Sequence, residues 1–355
     1  MKSLLPIKPK FPTKTKVAVA LLVLASLFLP SPFVILSPGN PQNILGSAIT
    51  ITGTKIYPTT GKLSVTSVMV TDPDSYITGF DVLYGWIDTN RAVLPRVEVY
   101  PKGESAADSK KSGAQEMASS QTSATAAALN YLGYESTSKL VITEVNDQTN
   151  AYKLLVKSDI IISVDDKKFV SGSEIIKYLD QKQPGDVISI KVLRSTSEVI
   201  TKQIKLSARD DGSAFIGVNI QQDFDFPFQV KIQLAETGGP SGGLIFALGV
   251  IEKLTAADLI RGRNIAGTGT ITTAGQVGPI GGIAEKIIGA KKYGVKIFLT
   301  PTANCADIKN NVQLTNSGSK EDMKIVPVAT LAEAISVLNL PDDATYPSCA
   351  TASKI

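Results

Sequence analysis

The chain of 355 residues contains no histidine. That excludes a Ser-His-Asp triad, a Cys-His dyad and any metal site built on imidazole, so nucleophilic catalysis here needs a different base. Cysteine is almost as scarce, with Cys305 and Cys349 the only two. Outside the cytoplasm they can pair, but two free thiols fit the sequence equally well, because it does not give their separation. No Gly-x-x-x-x-Gly-Lys-Ser/Thr phosphate loop occurs. ATP-driven unfolding by this chain therefore has no basis, and neither a cofactor nor a metal is expected. A strong net charge is missing too. The formal value is +4, yet Lys2, Lys8, Lys10, Lys14 and Lys16 all stand at the N-terminus; the 36 basic residues less those five leave 31 against 32 acidic. The remainder is near neutral and carries no electrostatic footprint for nucleic acid.

What is present is a globular composition, 43% hydrophobic and 19% charged, with room for about two domains. The basic N-terminus runs into Val17–Leu36, almost wholly apolar and interrupted by Pro30, Ser31 and Pro32. This reads as an uncleaved signal anchor, a single transmembrane helix within residues 1–40. Lysines precede it and none follows until Lys55, which puts the N-terminus in the cytoplasm and everything beyond Pro38 outside, at the cell membrane.

Past the anchor, Ala48–Ile56, Lys62–Val70 and Ala92–Tyr100 predict strands. The alanine-rich stretch Ala114–Leu132 predicts a helix capped by Gly133. A compact module follows: a strand over Lys139–Val145, an apolar run Leu154–Val164, a helix from Ser173, a turn at Pro184-Gly185-Asp186, and alternation of Ile188, Ile190 and Val192 with Ser189 and Lys191. This order resembles a PDZ domain over 133–207. Lys157-Ser158-Asp159 stands where that family usually has Gly-Asp, and Asp165-Asp166 replaces its Asp-Gly or Asn-Gly turn. The resemblance implies a groove for peptide C-termini, with the carboxylate-binding loop between Gly133 and Leu140. Beyond Ala208, strands and helices alternate, an α/β pattern.

Two segments carry chemistry. Gly238-Gly239-Pro240-Ser241-Gly242-Gly243 follows a strand and opens an apolar helix. Its glycines permit a sharp turn, and a serine at a helix start sits among unpaired N–H groups that can hold an oxyanion, worth about 3–4 kcal/mol per donor. Further on, Gly278-Pro279-Ile280-Gly281-Gly282 leads into a helix whose stripe is Ile283, Ile287 and Ala290. Lys286 borders that stripe. A lysine buried there loses part of its basicity and can take a proton from a serine hydroxyl.

Together these residues resemble the proteolytic domain of Lon proteases. The Gly-Pro-Ser motif of that family matches Gly239-Pro240-Ser241. A longer motif matches Thr268-Gly269-Thr270-Ile271 and Gly275-Gln276-Val277-Gly278-Pro279-Ile280-Gly281-Gly282-Ile283-Ala284-Glu285-Lys286. The resemblance covers roughly 210–340. It implies Ser241 as nucleophile, Lys286 as base and Thr268 as the hydroxyl that orients the lysine. Gly239, Pro240 and Gly242 then form the nucleophile loop and oxyanion region. Two departures stand out: Gly238 occupies the place of a frequent Asp, with Glu236 the nearest acid, and Gly242 replaces a frequent Ala.

The whole layout resembles the PDZ-containing Lon-like proteases of bacteria. The expected architecture is therefore α/β (α+β): a basic tail and anchor (1–40), the first part of a Lon-like domain (45–132), an inserted PDZ domain (133–207), the rest of the Lon-like domain (208–340) and a C-terminal tail (341–355). The activity implied is ATP-independent serine endopeptidase action on unfolded or extended polypeptides, and the family's ring assemblies imply a homo-hexamer. The alternative is a catalytically inactive membrane adaptor that binds client peptides through its PDZ domain.

Overall fold

The computed structural model describes residues 12–350 except 196–197, 210, 235–237, 311–322 and 342–343. Its centre is a five-stranded sheet. Lys324–Val328, Ile297–Pro301, Asn264–Gly267 and Lys62–Val65 run parallel, and Gln42–Asn43 adds antiparallel at one edge. Ile297–Pro301 is buried along its whole length, as a parallel strand covered on both faces must be. Against this sheet packs the helix Gly243–Leu254, apolar on every side and buried except at Lys253.

The long helix Ala106–Tyr131 packs in the same core through Met117, Ala124, Ala127, Ala128 and Leu129. It begins eight residues before the expected Ala114, because Ser105 and Asp108 form a reciprocal capping box there. Segments on both sides of the PDZ module, from Ile44 to Leu129 and from Phe228 to Leu338, thus share one apolar core.

The inserted module is an antiparallel sheet in the order Glu198–Lys205, Val187–Arg194, Ile160–Val164, Thr137–Val145, Val218–Asp225. Its own core holds Leu140, Ile142, Ile175, Ile188, Ile190 and Val192. Ser158, Asp165 and Asp166 sit at φ 73°, 47° and 59°, the left-handed backbone that glycine adopts most easily. The last strand lies past residue 207, so the module's sheet overruns the expected boundary.

That strand also relocates the groove. Thr137–Val145 is paired on both sides and offers no free edge. Val218–Asp225 is an edge strand, and a cavity of about 740 Å³ lies along it, lined by Ile175, Ile176, Leu179, Phe215, Ile216 and Ile220 among others. No residue of the expected loop between Gly133 and Leu140 lines it. The groove includes Phe215–Val218 instead, where Gly217 turns the chain at φ 92°.

The apolar N-terminal run does not form one helix. Its helix is Thr13–Ser26, 14 residues, about 21 Å at 1.5 Å per residue against the roughly 30 Å of a bilayer's hydrocarbon core. Among the described residues no helix is long and apolar enough to cross a membrane. Pro30 and Pro32 end the helical stretch, and Phe33–Pro38 becomes the middle strand of a three-stranded sheet between Val68–Val70 and Ala92–Pro95. Lys2, Lys8 and Lys10 of the basic tail lie outside the described residues. The expected strand Ala92–Tyr100 stops at Pro95, whose φ of −56° starts the helical turn Arg96–Val99. A helix over Gly79–Ile87 has no counterpart in the expected elements.

Most of the C-terminal segment is no free tail. Tyr346 packs against the main core and Cys349 is disulfide-bonded to Cys305. Residues 351–355 of the expected tail lie outside the described residues.

Candidate active site

Ser241 sits two residues before the helix Gly243–Leu254, with Gly242 as its N-cap. Gly239 turns the loop at φ 85°. The chain before Lys286 is held by Asn304, whose Nδ2 donates to the Ile280 carbonyl (2.9 Å) and whose Oδ1 accepts from the Ile280 N–H (3.1 Å). Gly282 then caps the helix Ile283–Lys292 in left-handed backbone, φ 65°.

The starts of these two helices and the end of the strand Asn264–Gly267, which Thr268 follows, bring Ser241, Lys286 and Thr268 together. Lys286 Nζ lies 2.8 Å from Ser241 Oγ and donates to Thr268 Oγ1 at 3.0 Å. Thr268 Oγ1 donates in turn to the Ser241 carbonyl at 3.0 Å, and the Gly269 N–H donates to that same carbonyl at 2.7 Å. Thr268 is fully buried and Lys286 is 3% exposed. Desolvation pushes the Lys286 amine down from 10.5 to about 8. At neutral pH on the order of one molecule in ten then holds a neutral amine, against roughly one in three thousand for an unshifted lysine. A neutral amine has two N–H donors and a lone pair: it can satisfy Thr268 and accept from Ser241 at once.

The loop glycines are explained by close packing. A Cβ on Gly242 would lie 2.7 Å from Phe246 Cζ and 2.9 Å from Val65 Cγ2. The large Phe246 ring thus takes the space that the frequent alanine would need. Gly238 stacks on Gly113 of the long helix, and a Cβ on it would lie 3.3 Å from the Gly113 backbone. An Asp there would press on that helix; Glu236 lies outside the described residues.

Gly239 and Pro240 shape the loop and do not supply oxyanion donors. The Gly239 N–H is spent on the Gly113 carbonyl (2.9 Å), and Pro240 has no N–H. The Pro240 carbonyl accepts from Ser120 Oγ at 2.8 Å. The Leu244 N–H is spent on the Gly269 carbonyl (3.0 Å). Gly113, Ser120 and Asn304 carry no local signal in the sequence, because each acts on a loop far away in the chain. Beside Pro240 lies a cleft of about 200 Å³ lined by Glu116, Ser119, Ser120, Ser123, Thr270 and Ile271. Glu116 and Ser119 also line the groove of the PDZ-like module.

A serine hydroxyl at a helix start, paired with a desolvated lysine amine, is the constellation of a serine peptidase. Residues 218–340 match the family model of the Lon protease (S16) C-terminal proteolytic domain. Residues 118–206 match the model of the PDZ domain. The chain thus carries a Lon-type serine peptidase domain and a PDZ domain. It is similar to the Lon protease of Rhizobium meliloti, 36% identical over 180 residues, 48% of this chain and 21% of that protein. It is similar to the Lon protease of Chloroflexus aurantiacus, 29% identical over 168 residues, 46% of this chain and 19% of that protein. The chain therefore spans about a fifth of the length of the curated relatives it matches. Among solved structures, the PDZ domain of the SdrC-like protein of Listeria monocytogenes is 28% identical, over 23% of this chain and 85% of that chain, with a TM-score of 0.22.

Proposed function

We propose that this chain is a membrane-attached serine endopeptidase that hydrolyses extended or unfolded polypeptides without ATP. The observation that carries this reading is the buried amine of Lys286 at 2.8 Å from Ser241 Oγ. Ser241 attacks the scissile carbonyl and Lys286 takes its proton, then delivers it to the leaving amine; water, giving a proton to Lys286, then attacks the acyl ester, and the released Ser241 oxygen takes that proton back. Thr268 holds the amine in line. Backbone N–H groups of the helix start hold the oxyanion.

The PDZ groove is the second element of the proposal. Its free edge strand accepts an extended chain by strand addition. Glu116 and Ser119 border both that groove and the cleft beside Pro240, so a tail held in the groove leads toward Ser241. Because the chain has no phosphate loop, we assign it substrates that arrive already extended.

Membrane attachment is supported by the helix Thr13–Ser26, none of whose residues is buried, and by Lys14 and Lys16 at its start. Placement outside the cytoplasm is supported by the Cys305–Cys349 disulfide.

The test is cleavage of unstructured casein by wild type, Ser241→Ala and Lys286→Ala, with an active-site-directed acylating probe alongside. Both variants are expected to lose turnover, and only wild type is expected to be labelled at Ser241. Wild-type cleavage by Lys286→Ala would remove the dyad. An unlabelled, inactive wild type would leave an adaptor that binds peptides through the PDZ domain.

A further inference from the structure

We infer that the helix Gly79–Ile87 lies in the interface of a lipid bilayer and seats the peptidase domain against the membrane. The helix has apolar side chains on both of its sides. Its inner side, Val82 and Gly85, is buried; Val82 joins the small cluster of Ile35 and Ile77, and a Cβ on Gly85 would lie 2.7 Å from Val93 Cγ2. Its outer side carries Phe80, Leu83, Tyr84, Trp86 and Ile87, with Trp86 62% and Ile87 77% exposed. Five large apolar side chains left exposed on so short a helix, one of them Tyr84 with the Arg91 guanidinium over its ring at 5.0 Å, are a concentration of the kind that marks an interaction surface.

What covers the patch is indicated by the element joined to it. The helix Thr13–Ser26 exposes Val17, Val19, Leu21, Leu22, Val23 and Leu24. Its end abuts the start of Gly79–Ile87. The Phe80 N–H donates to the Leu27 carbonyl at 2.9 Å, and Tyr76 Oη donates to the Phe28 carbonyl at 2.8 Å. A Cβ on Gly79 would lie 3.2 Å from Leu27 Cα. Two touching elements therefore expose apolar surface at one corner of the molecule. An apolar helix with lysines at its start seeks lipid, and Trp and Tyr prefer the zone where hydrocarbon meets headgroups. A bilayer covers both elements at once; a second copy seated on the aromatic patch leaves Thr13–Ser26 bare. The inference rests on the membrane attachment proposed above and adds a contact made by the catalytic domain itself.

Trp86 is the only tryptophan in the chain, so its emission reports on this helix alone. The full chain is reconstituted into vesicles of phosphatidylcholine and phosphatidylglycerol, and flotation measures attachment independently. The expected result is emission at shorter wavelength, loss of intensity when the lipids carry brominated acyl chains, and protection from acrylamide. In the variant Trp86→Phe/Tyr152→Trp, which moves the probe to the PDZ domain, brominated lipid is expected to have no effect. If the chain floats but Trp86 stays open to acrylamide and blind to brominated lipid, the interfacial seat is wrong and attachment stands. If the chain does not float, both fall. If Trp86 shifts without vesicles as protein concentration rises, a second copy covers the patch and the inference is overturned.

Discussion

Lys286→Met keeps the length of the side chain and removes its amine, and its effect on stability can be worked from the site. Burial holds the folded amine at about 8, against 10.5 for the free group. Over the interval between these values the unfolded chain binds a proton that the folded site does not, so wild-type stability rises with pH there. Below pH 8 the folded chain carries the full cost, about 3 kcal/mol at pH 7. Near pH 10 most of that cost is gone, a recovery of about 2.5 kcal/mol. Methionine carries no such cost but forfeits the contacts to Ser241 Oγ and Thr268 Oγ1, each worth about 1 kcal/mol. Lys286→Met is therefore expected to be inactive yet about 1 kcal/mol more stable than wild type at pH 7, and the less stable of the two at pH 10. Urea unfolding of both proteins at the two pH values measures this, provided the slopes agree. A gap between the two proteins that does not change with pH would mean that the amine is solvated and charged, and the argument for it as base would fail. The same titration requires kcat/KM on a peptide to climb about tenfold per pH unit below 8 and to level off above it.

Glu252 is 1% exposed, and burial pushes its carboxyl up to about 7. Its folded value lies above the unfolded one, so the stability it contributes is present at acid pH and is lost as pH rises from 4.5 to 7, about 3 kcal/mol in all. Glu252→Gln is expected to gain on wild type between pH 5 and pH 8 in denaturant melts; parallel curves would contradict this. Cys305→Ser/Cys349→Ser opens a loop of 44 residues and is expected to cost about 4 kcal/mol, with dithiothreitol doing the same to wild type. An unchanged urea midpoint would show that the crosslink contributes nothing. Gly242→Ala keeps an ordinary backbone (φ −91°) but drives a methyl into Phe246, so about 1–3 kcal/mol and most of the activity should be lost. Adding Phe246→Leu is expected to recover part of both, and strict additivity of the two changes in a double-mutant cycle would refute the steric account.

Much of the catalytic domain was legible because its signals are local. The apolar run after Gly242 reads as a helix, and the glycines around Ser241 and before Lys286 mark turns that other residues resist. Thr268, Ser241 and Lys286 were readable through their motifs. The partners of the loops were not. Gly113, Ser120 and Asn304 touch their targets across long stretches of chain, and no periodicity encodes such a contact. The position of the groove is not legible for a related reason: which strands of a sheet are its edges depends on pairing between distant segments. Hydropathy makes the apolar N-terminal run a single span, because it does not distinguish a helix facing outward from a strand buried in a sheet.

By itself the amino-acid sequence determined the available chemistry: with no histidine, a serine after Gly-Pro and a lysine beside an apolar stripe, it left one kind of base for one kind of nucleophile. Side-chain identity and helix periodicity are properties of neighbouring residues, so they can be read along the chain. Tertiary structure alone decided that the amine is stripped of water and set 2.8 Å from the hydroxyl, and that Cys305 meets Cys349. Desolvation and distance belong to segments folded over one another, and no single segment carries them.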